Sequence, residues 1–363
     1  MKYAVVSDVH LGHLKTPTKH IIANFKKYIL NDQNKDLDVL FIAGDLFDRL
    51  LDLNSEEVHI IIEFFSYLVK YCGVHNIALR VLEGTPSHDW QQSKLLEKVN
   101  DIHPNSCNFK YINTVYIEYI EKIAKYVLYI PDEWASTHEK LQKDIEQELV
   151  KYNISSVDIV IAHGQFYYQT VGKNYHGFYF EESYFLNLCK GFIHVGHYHT
   201  HSHFDRIIAQ GSFDRLAHSE EEDKGYVIVQ DNTWLFIPNK DSYIYKSIPI
   251  DKNTTLAKLD AIISKLPKGS YIRFVYSSSD ESLINYQDLK LRYSEYYTKK
   301  HLKTQSENST VSYIVNTEIE EFNSVSVEKD ILSVIYNNIV QNNNLQHSQK
   351  ELLQQFLYEF SQT

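Results

Sequence analysis

The sequence predicts an α/β fold in which helices cover a sheet, followed by a smaller α/β region. Two observations carry this prediction. Up to about residue 200, short apolar runs alternate with longer segments whose apolar residues recur at helical spacing. Each short run also ends in a polar turn, which is typical of a strand that leads into a loop at the edge of a sheet.

The strands are predicted at the short apolar runs. They comprise residues 2–7, 38–44, 77–84, 157–164 and 191–199. Helices are expected at about 19–30 and at 55–71, where the second has Ser55 at its N-cap and apolar residues from Val58 to Val69 at helical spacing. We expect that apolar stripe to pack on the sheet, with a dimer contact as the alternative.

A smaller α/β region is predicted after about Asp231. Its segments read as strand, helix, strand, helix and strand, and are "YKSIPI", "TLAKLDAIISKL", "SYIRFVYSS", "SLINYQDLKLRYSEYY" and "SYIVN". Two amphipathic helices joined by the polar "QNNNLQHS" follow them. The predicted organisation is therefore a domain at 1–235, a second at 240–320 and a helical tail at 325–363.

Composition limits the class of protein. The 363 residues are 43% apolar, which suits a globular protein with a large core. The net charge of −11 argues against a protein that coats nucleic acid with a broad basic face. With no signal-peptide pattern, no apolar run of about 18 residues and only Cys72, Cys107 and Cys189, we expect a reduced cytoplasmic compartment and no membrane.

The strand ends carry the chemistry. Five of them hold Asp, His or both, namely "SDVH" at 7–10, "GDLFD" at 44–48, "GTPSHD" at 84–89, "HG" at 163–164 and "GHYH" at 196–199. Oxygen and nitrogen ligands of these types suit Mn²⁺, Fe²⁺ or Zn²⁺, and none of the turns contains a cysteine. A metal centre is expected where these strand ends meet.

Each motif alone also has an ordinary structural explanation. A single D-x-H is common by chance, Asp45 would serve equally well as a helix N-cap, and an isolated His163 is typical of a hydrogen-bonded core histidine. The order of all five motifs at strand ends favours the metal site. Asp205 and Asp214 are expected to be structural, and surface or supporting roles are expected for His194, His201 and His203.

With these motifs the chain resembles the calcineurin-like metallophosphoesterases over about residues 1–230. It is most similar to the SbcD-type nuclease subunits of bacteria and phages. "DVHLGH", "GDLFD" and "GSFDRLAHSEEEDKGYVIV" carry that narrower resemblance. It implies a four-layer α/β/β/α metallophosphoesterase sandwich, a small capping and DNA-binding domain, and a C-terminal helical tail. The many Asn, Lys and Tyr residues are typical of an AT-rich genome, such as that of a phage.

The resemblance also implies a metal-ligand set. Asp8, His10 and His199 would hold one ion, Asp45 would bridge, and His163 and His197 would hold the second. The expected cofactors are two divalent ions, Mn²⁺ foremost, with Mg²⁺, Fe²⁺ or Zn²⁺ as alternatives. Two such ions can clamp a phosphodiester and activate the attacking water.

The turn "GTPSHD" departs from the family, which has Asn directly before the histidine. Here Ser87 takes that place in a turn two residues longer, and we expect Ser87 to be a weaker metal ligand. His88 is expected to protonate the leaving oxygen or stabilise charge on the transferred phosphate, and Asp89 to orient its imidazole. We interpret the turn as modified but working.

The predicted function is a metal-dependent exo- or endonuclease subunit in DNA end processing, recombination and repair. The resemblance implies DNA and an SbcC-like SMC-type ABC ATPase as partners, with the C-terminal helices binding the ATPase, and a homodimer. The alternatives are a metallophosphatase acting on phosphoproteins or small phosphoesters, and a non-catalytic DNA-end scaffold for the ATPase.

Overall fold

The computed structural model describes residues 1–52, 54–132, 137–170, 177–218, 220–277 and 284–303. These residues form a mixed α/β protein with two six-stranded sheets and one three-stranded sheet. The predicted strand "SYIVN" at 312–316, the end of the predicted 240–320 domain and the whole 325–363 tail lie outside the described residues. In the described part, no helix combines the length and apolarity needed to cross a membrane.

The first sheet has the order β12-β11-β1-β2-β3-β4. The strands β1 to β4 run parallel, β11 pairs antiparallel with β1, and β12 pairs antiparallel with β11. The strands are β1 (Lys2–Val6), β2 (Val39–Ala43), β3 (Ala78–Leu82), β4 (Phe109–Ile112), β11 (Gly225–Gln230) and β12 (Thr233–Pro238). Every residue of β2 and β3 is buried, as expected for parallel strands covered on both faces.

The second sheet has the order β5-β6-β7-β8-β10-β9. Its four central strands are parallel and both edge strands are antiparallel. The strands are β5 (Tyr116–Ile120), β6 (Lys125–Ile130), β7 (Ile159–Gly164), β8 (Ile193–His197), β9 (Ser202–Phe204) and β10 (Ile207–Ala209).

The two large sheets pack face to face between helices. Side chains such as Phe41 of the first sheet and Tyr129 of the second share one buried cluster. The outer face of the first sheet is covered by α1 (Thr18–Tyr28), α2 (Glu56–Val74) and α4 (Lys94–Ile102). The outer face of the second is covered by α5 (His138–Tyr152) and α7 (Glu182–Leu188). The short helices α3 (Pro86–Asp89) and α6 (Tyr167–Thr170) lie in loops.

Helix α2 begins as the sequence predicts. The Ser55 hydroxyl accepts a hydrogen bond from the Val58 amide at 3.3 Å, which satisfies one of the free amides of the first turn. Val58, Ile61, Phe65, Leu68 and Val69 all belong to the core cluster under the first sheet. Most of the apolar stripe of this helix therefore packs in the core, while Ile62 is 39% exposed.

Residues 245–277 and 284–302 form a small parallel sheet with its own core. It consists of β13 (Tyr245–Ile250), β14 (Tyr271–Tyr276) and β15 (Tyr297–Leu302), with α8 (Leu256–Ile263) and α9 (Tyr286–Arg292) between them. Strand β15 was not among the predicted strands, because its "YTKKHL" is a polar, partly exposed edge strand. Tyr245, Tyr271 and Tyr297 lie in register and stack with ring centroids 4.5 and 4.6 Å apart.

The stack also contacts the loop after β1. The Tyr245 hydroxyl lies 2.8 Å from that of Thr16, and the Tyr271 hydroxyl donates to the Lys15 carbonyl. The small sheet is thereby attached beside the loop that carries Asp8 and His10.

Candidate metal centre

The candidate metal centre lies where the carboxyl ends of parallel strands from both large sheets meet. Their end loops bring together residues proposed from the sequence. They form three overlapping groups whose ligand atoms lie within 4.8 Å of one another: Asp8, His10 and His199; His10, Asp45 and His88; Asp45, His163 and His197. We call the first group the first metal position and the last group the second metal position.

The backbone is strained where these side chains converge. Asp8, His10 and Asp45 have φ of 51°, 52° and 48°, and His197 has φ of 98°. Conformations of this kind cost about 1–3 kcal/mol each for residues other than glycine and cluster at functional sites. Hydrogen bonds between the loops hold them in place, since the Val9 and His10 amides donate to the Asp45 carbonyl at 2.9 and 3.1 Å.

Two glycines make room for the ligands. A Cβ on Gly44, whose φ is +85°, would lie 2.1 Å from His163 Nδ1. A Cβ on Gly84 would lie 2.1 Å from the Asp45 amide nitrogen. These contacts explain why "GDLFD" and "GTPSHD" each begin with glycine: any side chain there would displace a ligand.

The first metal position is supported by charged groups. His199 Nδ1 donates to Glu220 Oε1 at 2.6 Å, so its Nε2 faces inward, 3.1 Å from His10 Nε2. Both Asp8 carboxylate oxygens accept from the His197 amide, at 3.0 and 3.1 Å. The buried Lys224 ammonium donates to the His199 carbonyl at 2.8 Å and lies 3.4 Å from Glu220 Oε2.

These contacts shift the pKa values of Glu220 and His199. Burial alone would raise the pKa of the Glu220 carboxyl, but His199 and Lys224 outweigh it and hold the pKa well below its usual range. Burial opposes the charged form of His199, yet Glu220 raises the pKa of the imidazole. Glu220 is thus a carboxylate that orients His199 and increases its basicity, as outer partners of metal-bound histidines do.

The second metal position is supported by the backbone. His163 Nδ1 donates to the Ala43 carbonyl at 2.8 Å, which leaves Nε2 3.2 Å from Asp45 Oδ1. Burial would raise the pKa of Asp45, but the neighbouring His163 lowers it far below its usual value. Burial would lower the pKa of His163, and Asp45 raises it well above normal. The pKa of His197 is lowered by burial and then by the charge of His163.

The donor set fits a divalent cation. His163 Nε2 faces a carboxylate and His199 Nε2 faces another imidazole nitrogen, contacts that favour a cation between them. Two buried ring nitrogens, His10 Nδ1 and His88 Nδ1, have no hydrogen-bond partner, although Asp48 Oδ1 lies 3.2 Å from the former. Asp45 faces both positions, with Oδ1 3.2 Å from His163 Nε2 and Oδ2 3.9 Å from His10 Nε2. These buried groups could therefore hold metal ions, with Asp45 shared.

The turn after β3 differs from the sequence expectation. Ser87 is exposed, and its carbonyl accepts from the Trp90 indole. The hydroxyl that enters the site belongs to Thr85, whose Oγ1 lies 3.3 Å from Asp45 Oδ2 and 3.4 Å from His163 Nε2. Pro86 and Ser87 begin the short helix after Thr85 and are both exposed, and the position next to Gly84 faces the ligands.

His88 and Asp89 take different places. His88 lies at the rim, 35% exposed, with Nδ1 3.4 Å from Asp45 Oδ2. Burial lowers the pKa of its imidazole. We had expected Asp89 to orient that imidazole, but its oxygens instead accept from the Phe47 and Gly84 amides at 2.8 and 2.7 Å. Asp89 ties two turns together and is a structural residue.

The remaining histidines and aspartates of the prediction lie outside the three groups. Asp205 is exposed, and the buried Asp214 accepts from Asn24 and Asn239. His201 Nδ1 lies 2.8 Å from the Ala209 carbonyl, and His203 is exposed. His194 is neither at the surface nor at the metal ligands: it is fully buried between the sheets, bonded to Tyr3 and Gln210.

Four side chains at the site were not among the predicted site residues: Asp48, Thr85, Asp132 and Glu220. Asp48 was visible as the last residue of "GDLFD", and Thr85 as the residue after the turn glycine. Glu220 lay in the segment "GSFDRLAHSEEEDKGYVIV", but nothing in its spacing singled it out from the three acidic residues that follow. Asp132 had only its place at the end of an apolar run as a signal.

Comparisons with known proteins do not identify a family for this chain. No protein-family model matches the chain, and no curated protein matches it. The protein TT1561 of Thermus thermophilus is similar in structure at 11% identity and a TM-score of 0.41, covering 66% of this chain and 99% of that one. A second crystal structure has 12% identity with the same TM-score and coverages. Likeness at this level carries no argument about fold or function.

Proposed function

We propose that this protein is a metal-dependent DNA nuclease of the SbcD type, in which the layered sheets are a metallophosphoesterase sandwich. The observation that carries the proposal is Asp45, which faces an Asp/His group on each side within one buried cluster. A shared carboxylate between two such groups suits a pair of divalent ions, and such pairs are common in phosphoester hydrolysis. We take Mn²⁺ as the physiological ion.

The bound ions would polarise the phosphoryl oxygens and lower the pKa of the attacking water. The residues of the chain hold this centre and supply a proton. Asp8, His10 and His199 would hold one ion, and Asp45, His163 and His197 the other. His88 stands at the partly open rim, 3.4 Å from Asp45, where a substrate oxygen can reach its imidazole. In this role it would protonate the leaving oxygen.

The proposed substrate is DNA, and the proposed partner is an SbcC-like SMC-type ATPase that binds the segment 325–363. A chain truncated at about residue 325 should keep Mn²⁺-dependent cleavage of simple DNA and lose both ATPase binding and stimulation by ATP. Pull-down of the truncated chain by the ATPase at full-length affinity would contradict the assignment of the tail.

One assay separates the proposal from its alternatives. Full-length protein with Mn²⁺ is given linear duplex DNA, a phosphoprotein and p-nitrophenyl phosphate, with Asp45→Asn as the inactive control. Cleavage of DNA above the other two substrates supports the nuclease. A preference for the phosphoprotein or p-nitrophenyl phosphate indicates a metallophosphatase. DNA binding without hydrolysis of any substrate indicates a scaffold.

A further inference from the structure

Asp132 has no assigned role, yet it lies beside the second metal position. It lies two residues after the end of β6, with Pro131 between. Strand β6 pairs with β7, which carries His163. Its side chain is 16% exposed, and its Oδ2 lies 3.7 Å from His197 Nδ1. Parallel strands end at the same edge, so the backbone delivers this carboxylate to the cluster as it delivers the histidines.

The Thr85 hydroxyl connects Asp132 to the other ligands. Thr85 Oγ1 lies 3.2 Å from Asp132 Oδ2 and 3.3 Å from Asp45 Oδ2. It also lies 3.4 Å from His163 Nε2 and 3.3 Å from His197 Nδ1. One hydroxyl has a single hydrogen to donate, so it can donate to only one of the two carboxylates. Both carboxylates nevertheless face the same hydroxyl oxygen.

These distances are also those of neighbouring ligands around an ion. In a six-coordinate shell with bonds of about 2.1 Å, adjacent ligand atoms lie about 3 Å apart. The contacts of 3.2–3.4 Å around Thr85 Oγ1 are only slightly longer. A cation placed among these atoms would neutralise the charge of the two carboxylates that face this hydroxyl.

We propose that Asp132 is a ligand of the second metal position and that, with Thr85, it makes this position rich in oxygen. The set then contains carboxylates from Asp45 and Asp132, the Thr85 hydroxyl, and imidazoles from His163 and His197. Three oxygens and two nitrogens exceed the four ligands of a typical tetrahedral zinc site and suit six-coordinate Mn²⁺. The first metal position, with Asp8, the shared Asp45 and two imidazoles, has fewer oxygen ligands and lacks this preference.

The inference rests on the metal centre of the proposed function, and its test needs no substrate. Mn²⁺ is titrated into metal-free full-length protein, and electron paramagnetic resonance reports free Mn²⁺ and any spin-coupled pair. Wild type should bind two ions. Asp132→Ala should keep one and bind the second roughly 10–100-fold more weakly, with loss of the coupled signal. Zn²⁺ should also displace Mn²⁺ from the variant at about 10-fold lower concentration.

Two further variants make the result specific. Asp132→Asn keeps an oxygen that can accept from Thr85 but loses the charge, so it should fall between wild type and Asp132→Ala. Asp205→Asn removes the same charge from an exposed site and should behave as wild type. Thermal melting followed by circular dichroism checks that each variant is folded.

The outcomes separate this inference from the nuclease proposal. Two ions bound by Asp132→Ala at wild-type affinity would refute a ligand role, whether or not the protein cuts DNA. Wild-type affinity in Asp132→Asn with a loss in Asp132→Ala would also refute it, since Asp132 would then only position Thr85 and His197. A wild type that binds two ions and cleaves no DNA would leave the inference standing and remove the proposed function.

Discussion

The two metal positions of this protein are built differently although they share Asp45. In the first, the imidazole of His199 is oriented by a carboxylate, Glu220, which is itself paired with the buried Lys224. In the second, His163 is oriented by the Ala43 carbonyl, a group fixed by strand β2. The first position thus depends on side chains from a loop far along the chain, and the second depends on the sheet itself.

The difference extends to the source of the charge. Glu220, which lies outside the ligand groups, raises the pKa of His199, whereas the pKa of His163 is raised by Asp45, which is itself one of the ligands. Substitution of Glu220 should therefore weaken metal binding at the first position and leave binding at the second unchanged. The second should tolerate loss of any side chain outside its own ligands, because a backbone carbonyl cannot be removed by mutation.

The shared residue should have the largest effect. Asp45→Asn removes the charge that faces both positions, while Asn tolerates the φ of 48° at this residue. We expect loss of both ions and a fall in hydrolysis of at least about 10⁴-fold, since two ions contribute to the reaction. Metal analysis after gel filtration and a cleavage assay measure both. Retention of two Mn²⁺ per chain by a folded variant would show that the positions are independent.

His88 tests whether the residue between the positions acts on substrate or on metal. His88→Ala should reduce the rate about 10²–10⁴-fold, as for loss of a general acid, with two ions still bound and DNA affinity unchanged. Single-turnover kinetics and Mn²⁺ titration measure these quantities, with His203→Ala at an exposed histidine as control. A large loss of Mn²⁺ affinity would place His88 among the ligands, and an unchanged rate would remove it from catalysis.

Glu220 tests the first position alone. Glu220→Gln keeps an oxygen for the His199 Nδ1 hydrogen and loses the charge, so we expect one ion to bind roughly 10–100-fold more weakly. The other ion should bind as in wild type. Isothermal titration with Mn²⁺ resolves the two binding steps. Thermal melting checks whether the altered pairing of Lys224 destabilises the fold. Equal weakening of both steps would contradict the separation of the positions.

Thr85 and Ser87 form a matched pair in the second position. Thr85→Val removes the hydroxyl with little change of shape and should weaken the binding of one Mn²⁺ ion about 10-fold. Ser87→Ala removes a hydroxyl two residues away, on the exposed side of the turn, and should change nothing. The reverse pattern in the same titration would restore Ser87 as the ligand.

His194 tests whether acid sensitivity belongs to the metal positions or to the core. Burial lowers its pKa to about 3, so the unfolded state, with a pKa near 6.5, takes up more protons between these values. The free energy of unfolding should then fall by about 1.4 kcal/mol for each pH unit below 6.5, or about 2 kcal/mol at pH 5. In metal-free protein, urea melts of His194→Gln should lack this share of the pH dependence. His203→Gln should keep it, and an unchanged slope in His194→Gln would assign the acid sensitivity elsewhere.

The candidate metal-binding residues could be located from the sequence because each lies among the last residues of an apolar strand or within four residues after its end. Asp8, Asp45 and His199 therefore needed only local pattern and the rule that parallel strands end together. The same reasoning located α2 and its Ser55 cap, since helical spacing and capping are properties of neighbouring residues.

Contacts between distant residues required the tertiary structure. Glu220 meets His199 across 21 positions, and Asp132 meets Thr85 across 47. Which way the turn after β3 bends in space decides that Thr85, and not Ser87, faces the ligands. It also decides that Asp89 contacts two backbone amides and not the His88 imidazole. The edge strand β15 escaped notice because half-exposed polar residues show no apolar period. Short-range patterns determine where strands, helices and ligands occur, whereas the side chains that support the ligands are chosen by how the two sheets pack.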